Sequence, residues 1–405
     1  MRAMFKKYIP PAVYAIANCA PIPPIMGINI LALFSKKTYT SKTTVISTLL
    51  YIAVTLPFIA IHLKNGVDLS SYTNSYLGSI FIIFTSIGAA LYASNRANFE
   101  WMAKTTSLFI FIAFIVSSAS FLITGDEKIL GGWYQHYYTS GVSIYRYGGY
   151  MYEASHLCLA IAPLFFYFAL NLKKNKANAV YLMILIPPLV ATYSAGFFAT
   201  IIATILIANF SKIKSKKSVK MLVALFLLTA IFIPLIYISS DTVRSRITNI
   251  VTMNDSSVQG RSFDSYTLAT QIAEQKSLFF GAGIGQIKII GNPIIIDFYK
   301  YSKDAVDVVR IPSSAAEMLA SYGLVGLTLK IILLLYLYTR FKVYKNIYSN
   351  HLFIFFFLYQ LYGSFMLSTI EVFCFALAIL ISKKELRNAI SKRVISNPST
   401  KPIPL

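Results

Sequence analysis

Charge is scarce in this chain, and negative charge is scarcer still. Of its 405 residues, 13% are Asp, Glu, Lys or Arg, and only 15 are acidic. A soluble protein of this length carries about a quarter charged residues, so an ordinary water-soluble enzyme is excluded. Cysteine is equally rare. Cys19, Cys158 and Cys374 lie far apart in apolar stretches, which leaves no disulfide framework and no Cys/His metal cluster. HExxH and GxSxG are absent, and Asp304 and Asp307 do not form the adjacent acidic pair that sugar-nucleotide transferases use to hold a metal. The sequence therefore gives no reason to expect a metal or any other cofactor. "GAGIG" at 281–285 resembles part of a dinucleotide fingerprint, but no βαβ context surrounds it, and it reads as a tight turn.

What the chain does have is apolar residues, 56% of the total, arranged in runs. "TTVISTLLYIAVTLPFIAI", "SLFIFIAFIVSSASFLI" and "MLVALFLLTAIFIPLIYI" each approach the roughly 20 residues that cross a bilayer. The fold class expected is an all-α polytopic integral membrane protein with about 12 transmembrane segments, some short or broken. They fall at 9–20, 22–34, 43–62, 75–94, 104–124, 155–171, 178–192, 197–210, 219–239, 314–339, 351–367 and 368–381. Pro21, Pro23 and Pro24 break the first pair, which reads as a shallow hairpin and an uncleaved anchor. Pro187, Pro188 and "YSAGF" divide 179–210 into two short helices with a turn near Ser194–Gly196.

The net charge of +22 suggests nucleic acid until its placement is considered. Lys and Arg cluster in short connectors such as "SKKTYTSK", "LKKNKAN", "SKIKSKKSVK" and "RFKVYKN", the pattern of basic cytoplasmic loops. Connectors assigned to that side hold 25 Lys and Arg against two acids, Glu100 and Glu385; the rest of the chain holds 12 against 13. Both termini are expected in the cytoplasm. The chain divides into membrane helices over 1–239, with a short outer loop near 125–154; a large outer loop over 240–313; and helices with a cytoplasmic tail over 314–405.

The two outer loops carry the candidate chemistry. The first holds Trp133, Tyr134, Tyr137, Tyr138, Tyr145, Tyr147, Tyr150 and Tyr152. Such rings suit the membrane interface, and they also stack on sugar faces. Arg146, Glu153, Ser155 and His156 follow, with Glu153 and His156 sharing a face on a helix that is expected to begin near Gly149. An Arg–Glu pair there is either a structural ion pair or a phosphate-binding guanidinium beside an orienting or proton-accepting carboxylate. In the second loop, Arg244, Arg246 and Arg261 precede or open a helical stretch at 265–276, whose apolar face is Leu268, Ala269, Ile272 and Ala273. Arg310 stands at the mouth of a membrane helix carrying Glu317, and a carboxylate at that depth is a functional candidate. Glu371, between the last two helices, carries less weight.

Together these stretches resemble the Wzy-type O-antigen polymerases, inner-membrane relatives of the O-antigen ligases. The architecture is similar over most of the chain. "YRYGGYMYEAS" resembles the family's Arg…Gly…Glu-Pro-Ser pattern through Arg146, Gly149, Glu153 and Ser155, with Ala154 in place of the Pro. "GRSFDSYTLATQIAEQKSLFFGAGIGQ" resembles the large-loop pattern and "SSAAEMLASYGLVGLTLKIILL" the re-entry helix. "TYSAGF" lacks the Arg that many relatives carry at that turn.

The resemblance implies a metal-independent glycosyltransferase at the periplasmic face of the bacterial inner membrane. It would move a growing polysaccharide from undecaprenyl pyrophosphate onto a new lipid-linked repeat unit. Arg146, Arg310 and Glu153 are the implied catalytic residues; Arg261, Trp133, Tyr147, Ser155, His156 and Glu317 the implied substrate contacts. The implied partners are undecaprenyl-pyrophosphate-linked oligosaccharides, membrane lipids and a chain-length regulator protein, with no nucleic acid. Two alternatives stand beside it: an O-antigen ligase, which usually shows a His in the large loop where 240–313 has none, and a lipid-linked oligosaccharide flippase.

Overall fold

The computed structural model describes residues 41–125, 128–129, 132–139, 142–149, 151, 153–173, 175–209, 244, 248–249, 252, 256–300 and 310–396. The segments expected at 9–20, 22–34 and 219–239 lie outside the described residues, as do Cys19, Asp304 and Asp307.

Three long helices come first: α1 (Lys42–Lys64), α2 (Leu69–Ala93) and α3 (Arg96–Thr124). Asp68 caps α2 by accepting from Ser71 N, Asn95 caps α3 from Ala97 N, and Gly125 ends α3 in the left-handed conformation. A three-stranded antiparallel sheet follows, β1 (Lys128–Ile129), β2 (Gly132–Thr139) and β3 (Val142–Gly149), in the order β1-β2-β3. This sheet corrects the all-α expectation. Its aromatic and β-branched residues favour a pleated strand, and pairing them in a hairpin satisfies backbone groups that a loop would leave to water. The next helix accordingly starts at Ala154 rather than near Gly149.

That helix, α4 (Ala154–Leu170), is the centre of the bundle, with thirteen of its seventeen residues buried. Around it stand α5 (Ala177–Ala191), α6 (Ala195–Asn209) and, later, α11 (Ile347–Tyr359). The break between α5 and α6 falls at Thr192–Ser194, as the prolines and "YSAGF" predict. Cys158 and Cys374 are buried and free, as small core residues.

The described part of the large loop is not a free-standing flap. It forms α7 (Ser256–Arg261), α8 (Phe263–Glu274) and α9 (Gly291–Tyr299). The expected apolar face of α8 is buried, with Leu268, Ala269 and Ile272 packed on Ile311, Ala316, Leu319 and Ala320. Lys276 Nζ donates to Asn65 O at 3.0 Å, and Gln286 brackets Asp68 with bonds of 3.0 and 3.1 Å, so the loop is stitched to the α1–α2 turn.

Next, α10 (Ser314–Arg340) is two helices joined at a sharp bend. Gly323 has φ 68° and ψ −169°, outside the helical region. Lys330 Nζ nevertheless donates to Ser314 Oγ at 3.0 Å, although sixteen residues separate the two. In a straight helix they would stand about 24 Å apart, so the Ser314–Tyr322 half folds back along the half that follows Gly323. The span expected at 314–339 is thus bent at Gly323 rather than straight. The bend frees backbone groups, and the "GAGIG" region satisfies them. Ala282 N and Gly283 N donate to Ala320 O and Ser321 O, while Leu324 N and Val325 N donate to Leu278 O and Phe279 O. Glycine is required on both sides of this seam. A Cβ on Gly281 would lie 2.4 Å from Ser321 C, and one on Gly323 2.3 Å from Phe279 C.

The last helices, α11 and α12 (Thr369–Ser396), are separated by an irregular break at 360–368, so the span expected over 351–367 stops at Tyr359. The carbonyls of this break cap the half-helix that opens α10: Ser314 N donates to Gly363 O and Ala315 N to Gln360 O. Non-helical backbone inside a membrane survives only where protein satisfies it in this way.

Among the described residues, the basic connectors before α3, between α4 and α5 and between α10 and α11 come together at one end of the bundle, where Phe99 meets Tyr167 and Tyr348. Lys104 lies 5.8 Å from the Tyr181 ring centroid and Lys383 5.5 Å from that of Phe341, and Asn350 Nδ2 donates to Ala208 O. By length and composition, four helices can cross a membrane, α1, α2, α3 and α10, the last counted end to end across its bend. They mark the chain as a membrane protein.

Candidate functional site

Four short helices of 13 to 17 residues end at the same place, opposite the basic end. At 1.5 Å per residue they run about 20–26 Å, short of the roughly 30 Å hydrocarbon core. The start of α4, the α5–α6 turn and the segment that follows α11 meet there, as Cys158 Sγ lies 3.2 Å from Thr192 Oγ1 and Tyr362 Oη donates to Gly196 O at 2.8 Å, and by helix length this meeting place is a candidate recess.

Arg146 is on β3 and only 2% exposed, and its Nε donates to Thr192 O at 2.8 Å, which pins the sheet to the α5–α6 turn. Glu153 is the residue before α4 and makes no capping bond. Its carboxylate instead forms an ion pair with Arg261, at the end of α7. This pair joins the sheet-bearing loop to the large loop across 108 residues of sequence. Both side chains are mostly buried, which raises its worth above that of an exposed ion pair. Tyr359, fully buried at the end of α11, lies within electrostatic reach of both Arg146 and Arg261.

The second half of the recess is built on Phe365, in the α11–α12 break. The Arg310 guanidinium lies 5.2 Å from its ring centroid, and the His156 ring meets it edge-on at 5.0 Å. Cation–π contact of this kind steers a guanidinium without neutralising it. Arg310 acts electrostatically on both His156 and Glu317. Glu317 Oε2 accepts from Met366 N at 2.6 Å. His156 N donates to Glu153 O at 2.9 Å, so one turn of chain joins the two halves.

The remaining expected residues fall around these. Tyr147 is buried, its ring 5.0 Å from Phe114, and Ser155 is buried in the first turn of α4. Trp133 occupies β2 in register with Gly149. Arg244 is exposed, and Arg246 lies outside the described residues. Among the described residues, no three His, Cys, Asp or Glu side chains gather as metal ligands.

Several participants carry no sequence signal of their own. Thr192, Tyr359 and Phe365 are ordinary residues in apolar surroundings, and only the fold gives them partners. Tyr266, on α8, donates to Leu361 O at 2.7 Å, and burial raises its phenol so that it stays a donor. Glu371 is 3% exposed, and its Oε1 accepts from Lys330 Nζ at 3.0 Å and from Ser314 Oγ at 3.2 Å.

The arrangement brings guanidinium groups from three separate segments near two carboxylates, Glu153 and Glu317, and one imidazole, His156. Guanidinium groups so placed can hold an oxyanion. No protein-family model matches the chain, and no curated protein matches it.

Proposed function

We propose that this protein is a membrane glycosyltransferase of the O-antigen polymerase type, which transfers a growing polysaccharide from undecaprenyl pyrophosphate to a lipid-linked repeat unit. The observation that carries the reading is the Glu153–Arg261 ion pair. It draws an arginine of the large loop to the start of α4, beside the buried Arg146, while Arg310 approaches from the other side through Phe365. A diphosphate at the headgroup level is the ligand whose charge and lipid anchor suit such a recess.

In this reaction pyrophosphate leaves the anomeric carbon as the acceptor hydroxyl attacks. The protein's work is to position two lipid-borne substrates and stabilise the charge growing on the departing oxygen. Arg146, Arg261 and Arg310 supply that charge. Glu153, paired with Arg261, orients the guanidinium; His156 and Glu317 flank Arg310 as polar neighbours. Tyr147 and Ser155 belong to the wall nearest the sheet, and Trp133 lies on β2 of that sheet. About 12 membrane segments, termini and basic connectors in the cytoplasm, and a site facing the periplasm of the inner membrane complete the reading. The grouping of basic connectors at the end opposite the arginines supports that orientation.

The test is the polysaccharide ladder at the cell surface. Arg146→Ala and Arg310→Ala should each reduce it to single capped units. Full-length polysaccharide in both variants refutes the reading, and complete loss of capped units points to a ligase.

One observation favours a second reading. Discontinuous helices at Thr192–Ser194, Gly323 and 360–368 are a pattern found in transporters, with substrate held near the membrane midplane. A lipid-linked oligosaccharide flippase would expose cysteines placed along the recess to both faces alternately; a polymerase would expose them to one.

A further inference from the structure

We infer that the break between α11 and α12 is a sugar subsite, in which Gln360 and Ser364 hydrogen-bond hydroxyl groups of the lipid-linked glycan next to the arginines. The inference rests on the polymerase reading and adds to it the part of the molecule that reads the sugar.

Buried polar atoms in native proteins are nearly always paired, and each exception calls for an explanation. Among the described residues, four buried side-chain atoms that lack a protein partner fall within twelve residues: Gln360 Nε2, Gln360 Oε1, Ser364 Oγ and Glu371 Oε2. Their residues are only 2%, 5% and 3% exposed. The backbone of the same break is, by contrast, well used. Gln360 O, Leu361 O and Gly363 O all accept from Ser313, Ser314, Ala315 or Tyr266, and Met366 N donates to Glu317. Protein holds the backbone in place, and Gln360 and Ser364 are the side chains of the break that it leaves unsatisfied.

Their chemistry suits a polyhydroxyl ligand. An amide offers two donors and an acceptor in one plane, and a hydroxyl offers one donor and two acceptors. Their position suits a sugar attached to a diphosphate. Gln360 follows Tyr359, which senses Arg146 and Arg261, and Ser364 precedes Phe365, which carries Arg310. The break also has reason to move. Ser364 and Leu367 hold φ of 65° and 57°, a region that non-glycine residues adopt at a cost. A shift that opens the break relieves both and uncovers the unpaired atoms.

The experiment compares two probes on the full-length protein in nanodiscs: undecaprenyl pyrophosphate, and sugar-bearing lipid-linked units extracted from source cells lacking this chain. Gln360→Leu removes both amide atoms at nearly constant volume. Ser364→Gly removes the hydroxyl and relaxes the backbone, and serves if the first variant fails to fold. The wild type should bind the sugar-bearing carrier about tenfold tighter or more, one good hydrogen bond's worth or better. Each variant should lose that margin, keep its affinity for the bare carrier, and melt no lower than the wild type. A margin that survives both substitutions overturns the inference, since bound water then satisfies these atoms. A lowered melting point with the margin intact overturns it as well. Equal binding of both probes by the wild type overturns the sugar subsite alone, whereas binding of neither overturns the polymerase reading with it.

Discussion

The first three helices and the recess are built on opposite plans. α1, α2 and α3 are 23 to 29 residues long, enough to cross a bilayer, and less than half of each apolar window is buried. Several of their buried hydroxyls are satisfied within one turn, as Thr48 and Ser107 are by the carbonyls four residues back. The recess is walled by helices too short to cross, by one bent at Gly323, and by a break in which the Gln360 and Ser364 side chains lack partners. Length goes with the outer helices; shortness, a bend and the unpaired Gln360 and Ser364 go with the site.

This contrast is open to attack at its most rigid point. Gly323→Ala puts a methyl group into the backbone of Phe279 and strains φ, and should cost on the order of 4 kcal/mol, seen as loss of folded protein in detergent. Survival at full yield would mean that the seam between α10 and residues 278–283 is not held as described. Next in size is the buried pair below the recess. Lys330→Met leaves Glu371 uncompensated and should destabilise by about 3 kcal/mol, whereas Lys330→Met combined with Glu371→Leu should recover most of the loss. Failure of the double substitution to recover would show that the charges themselves are needed.

Within the recess, Arg146→Lys keeps the charge but loses the planar fork that bonds Thr192 O. It should lower polymer formation about a hundredfold, close to the loss for one transition-state donor. A variant with wild-type ladders would reduce Arg146 to a point charge. The smallest effect belongs to the long helices. Nothing lies within 4 Å of a Cβ added at Gly78, in α2, so Gly78→Ala should stay within about 1 kcal/mol of the wild type and leave polymer unchanged.

Much of this was legible in the sequence, and the exceptions share a cause. Apolar runs revealed the long helices, Pro187 and Pro188 with "YSAGF" revealed the α5–α6 break, and the spacing of Leu268, Ala269 and Ile272 revealed α8. The sheet was missed because its tyrosines suit an interfacial belt as well as a strand, although the Ser140-Gly141 pair between two aromatic runs is a turn signal. The bend in α10 rests on one glycine in an apolar run of unbroken helical character. Its cause is a partner segment some forty residues earlier, which local pattern does not report. The site was half legible for the same reason. Charged residues stand out against an apolar background, so Arg146, Glu153, Arg261 and Arg310 were visible. The neutral residues that hold them, Thr192, Tyr359 and Phe365, were not.

The central claim is that three guanidinium groups grip one diphosphate, and the affinity of the purified protein for undecaprenyl pyrophosphate tests it most directly. The account predicts that Arg146→Gln, Arg261→Gln and Arg310→Gln each weaken binding at least about tenfold, the worth of one charge-assisted contact. An affinity unchanged by any one of these substitutions would contradict it.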